Sequence, residues 1–243
     1  MTQPIQFTEA AGRRIAFRYQ AGTGPAVVFL PGYMSDMSGS KATALFDWCA
    51  AQGRECLLLD YSGCGESEGD FADGSLSRWR DEAVGLIGAT IEGPVVLVGS
   101  SMGGWLMLLV GLALKERLAG LVGIAAAPDF SDWGYSAEQK ARLAAWETVV
   151  EDNPYGPEPT PTHARFWQDA QDHRLLTGDI ALTCPVRLLH GQDDGDVPPD
   201  ISLRLAAALT SADVQVTLIK GGDHRLSRDG DISLLLRTVE SFS

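Results

Sequence analysis

The stretch Gly99-Ser100-Ser101-Met102-Gly103 constrains this chain more than any other part of its sequence. It follows the β-branched run Val95–Val98, which predicts a buried strand, and precedes the apolar run Gly104–Val110, which predicts a buried helix. A glycine-flanked serine between a strand and a helix is the G-x-S-x-G pattern of a nucleophile elbow. The glycines permit a sharp turn that lifts the Ser101 hydroxyl clear of the sheet, beside the free N–H groups of a helix N-terminus. The pattern therefore predicts a nucleophilic serine.

The apolar runs on either side of this turn predict the fold class. Continuous apolar strands, such as Ala26–Leu30 and Leu121–Ala126, alternate with helices that have one apolar face, such as Ser75–Ile91. Repeated strand–helix units of this kind build a mostly parallel sheet with helices on both faces. We therefore predict an α/β fold whose core comprises residues 1–127 and 181–243.

The alternation breaks once, over residues 128–180. This segment is rich in proline and aromatic residues, and it predicts two helices, Ser136–Val150 and Thr162–His173. It follows the carboxyl end of a strand, where α/β folds place their ligands. We expect residues 128–180 to be an insertion that forms a small helical cap over the site.

A serine hydroxyl is a poor nucleophile at neutral pH unless a base accepts its proton and a third group orients that base. His224 follows the last predicted strand in a glycine-flanked loop and is the favoured base. His190, which ends the predicted strand Pro185–Leu189, is the alternative base, although a structural role suits that position better. His163 and His173 lie in the expected cap and are predicted to be surface residues.

The orienting acid is expected in the loop that follows His190. Asp194 is the first choice there, and Asp193 and Asp196 are the alternatives. A tetrahedral intermediate also needs two N–H donors. We expect these from the backbone of Met102, directly after the serine, and of Tyr33, in the loop after an earlier strand.

Several stretches of the chain resemble those of one known family. They are Phe29–Met37, Asp60–Ser67, Val98–Leu108, Cys184–Gly191 and Asp223–Arg225. They are similar to the mitochondrial depalmitoylating α/β-hydrolases of animals, the abhydrolase domain-containing protein 10 family. Members of that family are described as acyl-protein thioesterases and as esterases of acyl glucuronides. The resemblance implies the α/β-hydrolase fold, with Ser101, Asp194 and His224 as its catalytic triad.

The motif and the resemblance together predict a serine hydrolase of carboxylic esters or thioesters that forms an acyl-enzyme on Ser101. The substrate is expected to be a small acyl ester or thioester, or an S-acylated protein, with its acyl group under the cap against Met34 or Trp133. The same triad supports amide cleavage, peptide cleavage or hydrolysis of a carbon–carbon bond, so these remain alternatives. A binding protein that has lost catalysis is a third hypothesis.

Composition restricts the partners and the compartment. The 32 acidic residues exceed the 19 basic ones, and a net charge of −13 repels nucleic acid and anionic membranes. The four cysteines lack the spacing of a metal site or a disulfide framework, which favours reduced thiols. The sequence shows neither the pattern of a signal peptide nor an apolar run of membrane-spanning length. We therefore expect a cytoplasmic, bacterial relative of that family, and no motif calls for a metal or cofactor.

Overall fold

Ten strands form in the part of the chain that the computed structural model describes, residues 3–154 and 156–242. The ends of the predicted core, residues 1–2 and 243, lie outside the described residues. The strands are β1 (Gln6–Ala10), β2 (Arg13–Gln20), β3 (Thr23–Leu30), β4 (Arg54–Leu59), β5 (Val95–Ser100), β6 (Leu118–Ile124), β7 (Val149–Glu151), β8 (Thr160–Thr162), β9 (Val186–Gly191) and β10 (Val214–Ile219).

Eight of these strands form the central sheet, in the order β1-β2-β4-β3-β5-β6-β9-β10. The β1–β2 and β2–β4 pairs are antiparallel, and every later neighbour in this order is parallel. The predicted, mostly parallel sheet is therefore confirmed. The carboxyl ends of β3, β5, β6 and β9 lie along one edge, so the loops that follow these strands gather there.

Helices cover both faces of this sheet because successive strand residues point to opposite sides. In β3, Val28 and Leu30 pack in the layer that contains residues of α2, α3, α6 and α7, whereas Val27 and Phe29 pack in the layer of α1 and α8. Within the described residues, no helix combines the length and apolarity needed to cross a bilayer. The helices are α1 (Ser40–Gln52), α2 (Leu76–Thr90), α3 (Met102–Leu114), α4 (Phe130–Trp133), α5 (Ala137–Ala144), α6 (Ala164–Gln171), α7 (Asp200–Ala208) and α8 (Asp229–Glu240).

Residues 128–180 carry α4, α5, the β7–β8 hairpin and α6, outside the central sheet. A capping box, in which Ser136 and Gln139 exchange hydrogen bonds of 2.8 and 3.2 Å, begins α5. The helix ends before Trp146, which has a φ of 64°, and the β-branched pair Val149-Val150 then enters β7. The predicted helix Ser136–Val150 is therefore wrong beyond Ala144, because its last two residues, Val149 and Val150, pair with β8.

Side chains of the core bind this inserted segment. The Tyr33 hydroxyl donates to the Pro161 carbonyl oxygen at 2.9 Å, and the Trp105 indole N–H donates to the His173 carbonyl oxygen at 3.0 Å. The His173 ring lies 2.6 Å from the Ser77 hydroxyl, measured from Nε2, and only 18% of the His173 side chain is exposed. The prediction that His173 is a surface residue is therefore wrong, since its ring joins the segment to α2.

Candidate active site

The chain turns sharply at Ser101, between β5 and α3. Ser101 has φ 56° and ψ −121°, a strained backbone conformation for a residue with a side chain. A Cβ atom on Gly99 would lie 2.2 Å from the Gly103 carbonyl oxygen, and one on Gly103 would lie 2.0 Å from the Leu30 carbonyl oxygen. Both positions therefore require glycine, as the elbow pattern predicts, and β3 and α3 approach each other closely behind Ser101.

We expect Gly103→Ala to lower the free energy of unfolding by about 3 kcal/mol, the upper end of the usual cost of overpacking, because the methyl group meets backbone that cannot rotate away. Gly88→Ala is the matched control. Gly88 is exposed in α2, and a Cβ there meets no atom within 4 Å. That variant should gain about 0.5–1 kcal/mol, since alanine favours a helix over glycine. Urea unfolding of both variants measures whether the free energy of unfolding falls or rises. An unchanged midpoint for Gly103→Ala would contradict the close packing of the elbow.

His224 lies between Ser101 and Asp194. Its Nε2 is 3.0 Å from Ser101 Oγ, and its Nδ1 is 2.9 Å from Asp194 Oδ2. The Asp194 side chain is fully buried and the His224 side chain is 13% exposed. The loops after β5, β9 and β10 thus bring together the three side chains that the sequence singles out, although 123 positions separate the serine from the histidine.

The loop after β9 fixes the orientation of Asp194. Its Oδ1 accepts the backbone N–H groups of Asp196 and Val197, at 2.9 and 2.8 Å, which leaves Oδ2 for His224. Burial alone would disfavour the carboxylate anion. Hydrogen bonds from His190 and His224 outweigh burial and hold the pKa of Asp194 below its usual range. Asp194 is therefore ionised at neutral pH and can stabilise an imidazolium on His224.

His190 is buried beneath this acid. Its Nε2 lies 2.9 Å from the Val197 carbonyl oxygen and 3.2 Å from Asp194 Oδ2, and its Nδ1 lies 2.7 Å from Ser202 Oγ. A carbonyl oxygen only accepts hydrogen bonds, so Nε2 carries a proton, while Nδ1 is hydrogen-bonded to the Ser202 hydroxyl. The alternative of His190 as the base is not supported by these contacts. The sequence carries no signal for the contact between His190 and Asp194, because a spacing of four residues brings side chains together in a helix and His190 ends a strand.

The other two candidate acids occupy different places. Asp196 is exposed, and its Oδ2 lies 4.0 Å from His224 Nε2, on the side that faces Ser101. Asp193 is exposed as well, and its backbone N–H donates to the Gly222 carbonyl oxygen at 2.9 Å. Of the three carboxylates, Asp194 is the one that hydrogen-bonds Nδ1 of His224.

The two residues predicted to supply N–H donors lie on either side of Ser101. Met102 is the first residue of α3, and Tyr33 lies in the loop after β3. That loop approaches the serine closely, because a Cβ on Gly32 would lie 3.4 Å from the Ser101 Cβ. Within the described residues, no protein acceptor takes the backbone N–H of Met102 or Tyr33. Both groups are therefore available to an incoming oxygen.

A cavity of about 630 Å³ opens over these groups. Ser101 and His224 line it, and so do Met34 and Trp133, the residues predicted to contact the acyl group. Met34 is 44% exposed, so it lies at the open side of the cavity. Lys41 of α1 also lines the cavity, although it belongs to none of the sequence motifs that predict the site.

A cation would find one set of ligands at this site. Asp194, Asp196 and His224 each offer an atom within 4.8 Å of the other two, and they form the candidate metal cluster of the described residues. Asp194 and His224 already hydrogen-bond each other, and a metal on those atoms would break that contact. The arrangement therefore suits proton transfer better than metal binding.

Comparison with known proteins identifies the family. Residues 27–231 match the α/β hydrolase family. The chain belongs to this family. The nucleophile elbow at Ser101 lies within the matched residues. The predicted α/β-hydrolase fold is therefore confirmed.

Individual relatives of this α/β hydrolase agree with the resemblance seen in the sequence. The mitochondrial palmitoyl-protein thioesterase ABHD10 of Mus musculus is 38% identical over 232 residues, which cover 93% of this chain and 77% of the relative. The solved structure of the α/β hydrolase domain-containing protein 10 from mouse superposes with a TM-score of 0.91 at 36% identity, covering 98% of this chain and 97% of that one. A putative hydrolase from Agrobacterium vitis gives the same TM-score of 0.91 and 36% identity, with 99% of each chain covered.

Proposed function

We propose that this protein hydrolyses carboxylic esters and thioesters through an acyl-enzyme on Ser101. The observation that carries the proposal is the continuous relay from Ser101 Oγ through His224 to the buried Asp194 carboxylate, at the floor of an open cavity. Relatives named as palmitoyl-protein thioesterases support the same class of reaction. They favour esters and thioesters over amides and carbon–carbon bonds, and an intact relay argues against a protein that only binds.

The first half of the reaction acylates the serine. His224 Nε2 accepts the Ser101 proton while Oγ forms a bond to the acyl carbon. The negative charge that develops on the carbonyl oxygen is stabilised by the N–H groups of Met102 and Tyr33. The carbon–oxygen or carbon–sulfur bond then breaks, and the imidazolium of His224 gives its proton to the departing alcohol or thiol.

The second half releases the acid. A water molecule loses one proton to His224 Nε2 as its oxygen bonds to the acyl carbon, and the bond to Ser101 Oγ breaks as the proton returns to the serine. One water is consumed, and a carboxylic acid and an alcohol or thiol are formed. Throughout both halves, Asp194 holds the imidazole with its proton on Nδ1, and His190 holds Asp194 in place.

The acyl group binds under residues 128–180, which act as the cap. Support comes from the cavity wall, where this segment contributes Phe130 and Trp133 next to Ser101. Met34 also lines the cavity and is 44% exposed. The Tyr33 hydroxyl donates a hydrogen bond to the Pro161 carbonyl oxygen, which joins the cap to the loop that carries the oxyanion donor.

The four cysteines favour a reducing compartment such as the cytoplasm. All four are free thiols, and Cys49, Cys56 and Cys64 are buried. The relatives are named as mitochondrial proteins. An acyl thioester substrate, such as a small acyl thioester or an S-acylated protein, is compatible with either location.

Labelling with a fluorophosphonate probe tests the proposal. The phosphorus of such a probe is attacked by an activated serine, so we expect one covalent adduct, mapped by mass spectrometry to Ser101. Ser100 is the internal control, because it is the adjacent serine but is buried in β5. An adduct at Ser100 or elsewhere, or an unlabelled protein that is folded, would contradict the proposal.

A further inference from the structure

One wall of the cavity is cationic, although the chain as a whole is acidic. Lys41 and Arg225 line this wall together with Ser227. Arg225 follows His224 directly, so the wall lies beside the base that serves Ser101. The chain has 32 acidic residues against 19 basic ones. Acidic residues also outnumber basic ones on the cavity lining, so the two neighbouring cations of this wall are a local exception.

The ammonium group of Lys41 is held across the wall. It donates to the Arg225 carbonyl oxygen and, at 3.5 Å, to the Ser227 hydroxyl. An ammonium group has three N–H donors, so one remains for a ligand. Within the described part of the chain, no carboxylate oxygen lies within 4.0 Å of this nitrogen. The charge of Lys41 is thus not neutralised by a direct ion pair.

The surroundings disfavour this charge. Burial, followed by repulsion from Arg225, lowers the pKa of Lys41 to about 8, and Asp223 and Asp231 oppose the shift from a distance. Asp231 is paired with Arg228 at 2.8 Å. An anion bound at the ammonium group would offset both the free-energy cost of burying its charge and the repulsion from Arg225.

Four acidic residues line the same cavity: Asp36, Glu151, Asp152 and Asp196. Asp36 accepts the backbone N–H of Ser38 at 2.7 Å and its hydroxyl at 2.5 Å. Asp196 lies 4.0 Å from Nε2 of His224. Among the described residues, none of these four carboxylates forms an ion pair with Lys41, although all four reduce the attraction that the cavity as a whole has for anions.

Another part of the cavity lining is an apolar wall. Ala127, Phe130, Trp133 and Val197 line the cavity there, a surface that suits a hydrocarbon chain. We propose that the wall formed by Lys41, Arg225 and Ser227 binds a carboxylate or phosphate on the alcohol or thiol half of the substrate. This inference rests on the proposed ester and thioester hydrolysis, and it assigns the apolar wall to the acyl half. The protein therefore prefers acyl esters and thioesters whose leaving group carries an anion.

Matched thioesters with one acyl group test this preference. The phosphate pair is S-acyl-4′-phosphopantetheine against S-acyl-pantetheine, and the carboxylate pair is S-acyl-3-mercaptopropionate against S-acyl-3-mercaptopropionamide. We expect kcat/KM of the wild-type protein to be about tenfold higher for the anionic member of at least one pair, the size of one charge-assisted hydrogen bond. The pair that shows it identifies the anion.

Variants of Lys41 assign the preference to this wall. In Lys41→Gln the ratio of anionic to neutral kcat/KM should fall to near one, and Lys41→Arg should keep most of it. Lys220→Gln removes the same charge from an exposed position after β10 and should keep the wild-type ratio. Inorganic phosphate should compete with the preferred anionic substrate in the wild-type protein and compete less in Lys41→Gln.

Equal kcat/KM values for both members of both pairs in the wild-type protein would overturn the inference. So would a ratio that Lys41→Gln leaves unchanged. Either result leaves the hydrolysis itself intact, because the neutral thioesters are still cleaved. Failure of the proposed function looks different: all four thioesters would remain uncleaved, and the fluorophosphonate adduct at Ser101 would be missing.

Discussion

Replacing Ser101 with alanine is expected to lower kcat for a p-nitrophenyl ester by about 10⁶-fold, the order measured when another serine hydrolase loses its nucleophile. The alanine has no oxygen to bond to the acyl carbon, so the acyl-enzyme cannot form. His224 and Asp194 remain hydrogen-bonded to each other in the variant, but without the serine they have no proton to transfer. The remaining rate is what the N–H donors and substrate binding supply on their own.

Pre-steady-state kinetics and intact-protein mass measurement check this result together. The wild-type protein should release a burst of p-nitrophenol and gain the mass of one acyl group, and Ser101→Ala should do neither. Ser241→Ala is the control, because that hydroxyl donates to the Thr238 carbonyl oxygen at the end of α8 and does not line the cavity. A Ser101→Ala protein that retained more than about a hundredth of the wild-type kcat would show that another group is the nucleophile, since loss of the whole triad costs far more.

The sheet and the elbow were predictable because their signals are local. Val95–Val98 is a continuous apolar run followed by glycine and serine, and a strand buried on both faces requires such a run. Glycines at 99 and 103 mark positions where other backbone comes too close to leave room for a Cβ atom, and the residue type itself shows this in the sequence. The residues that mark these features are neighbours in the sequence, even though the close approach of Gly103 to the Leu30 carbonyl oxygen joins distant parts of the chain.

The inserted segment was less predictable because distant contacts decide its structure. The helical pattern of α5 continues past Ala144, yet Val149–Glu151 pairs with Thr160–Thr162 instead. The Tyr33–Pro161 hydrogen bond joins residues 128 positions apart, and nothing in either neighbourhood indicates it. Propensity predicts where such a helix begins, and tertiary pairing determines where it ends.

The choice among three aspartates was open in the sequence for a similar reason. Asp193, Asp194 and Asp196 share one loop and one residue type, so composition cannot rank them. The structure separates them through hydrogen bonds: two backbone N–H groups hold Oδ1 of Asp194 and turn Oδ2 toward His224. Its role as the triad acid remains a prediction, and it leads to the second large expected effect.

Asp194→Asn should lower kcat by about 10⁴-fold while the protein stays folded, because the variant changes the position of one proton. The N–H groups of Asp196 and Val197 both need an acceptor, so the amide oxygen of the new asparagine takes the place of Oδ1. Its NH₂ group then takes the place of Oδ2 and donates to Nδ1 of His224. The imidazole is left with its proton on Nε2, the atom 3.0 Å from Ser101 Oγ, where it cannot accept the proton of the serine.

Asp193→Asn is the matched control for this experiment, because it makes the same chemical change one residue away at an exposed carboxylate. We expect its kcat to stay close to that of the wild-type protein, and we expect the unfolding midpoints of both variants in urea to show that each is folded. The ¹⁵N chemical shifts of His224 distinguish the tautomers directly, with the proton on Nδ1 in the wild-type protein and on Nε2 in Asp194→Asn. If Asp193→Asn lost activity instead, the acid would be Asp193. If Asp194→Asn moved the proton to Nε2 but kept its kcat, then base catalysis by His224 could not be the route by which this protein activates Ser101.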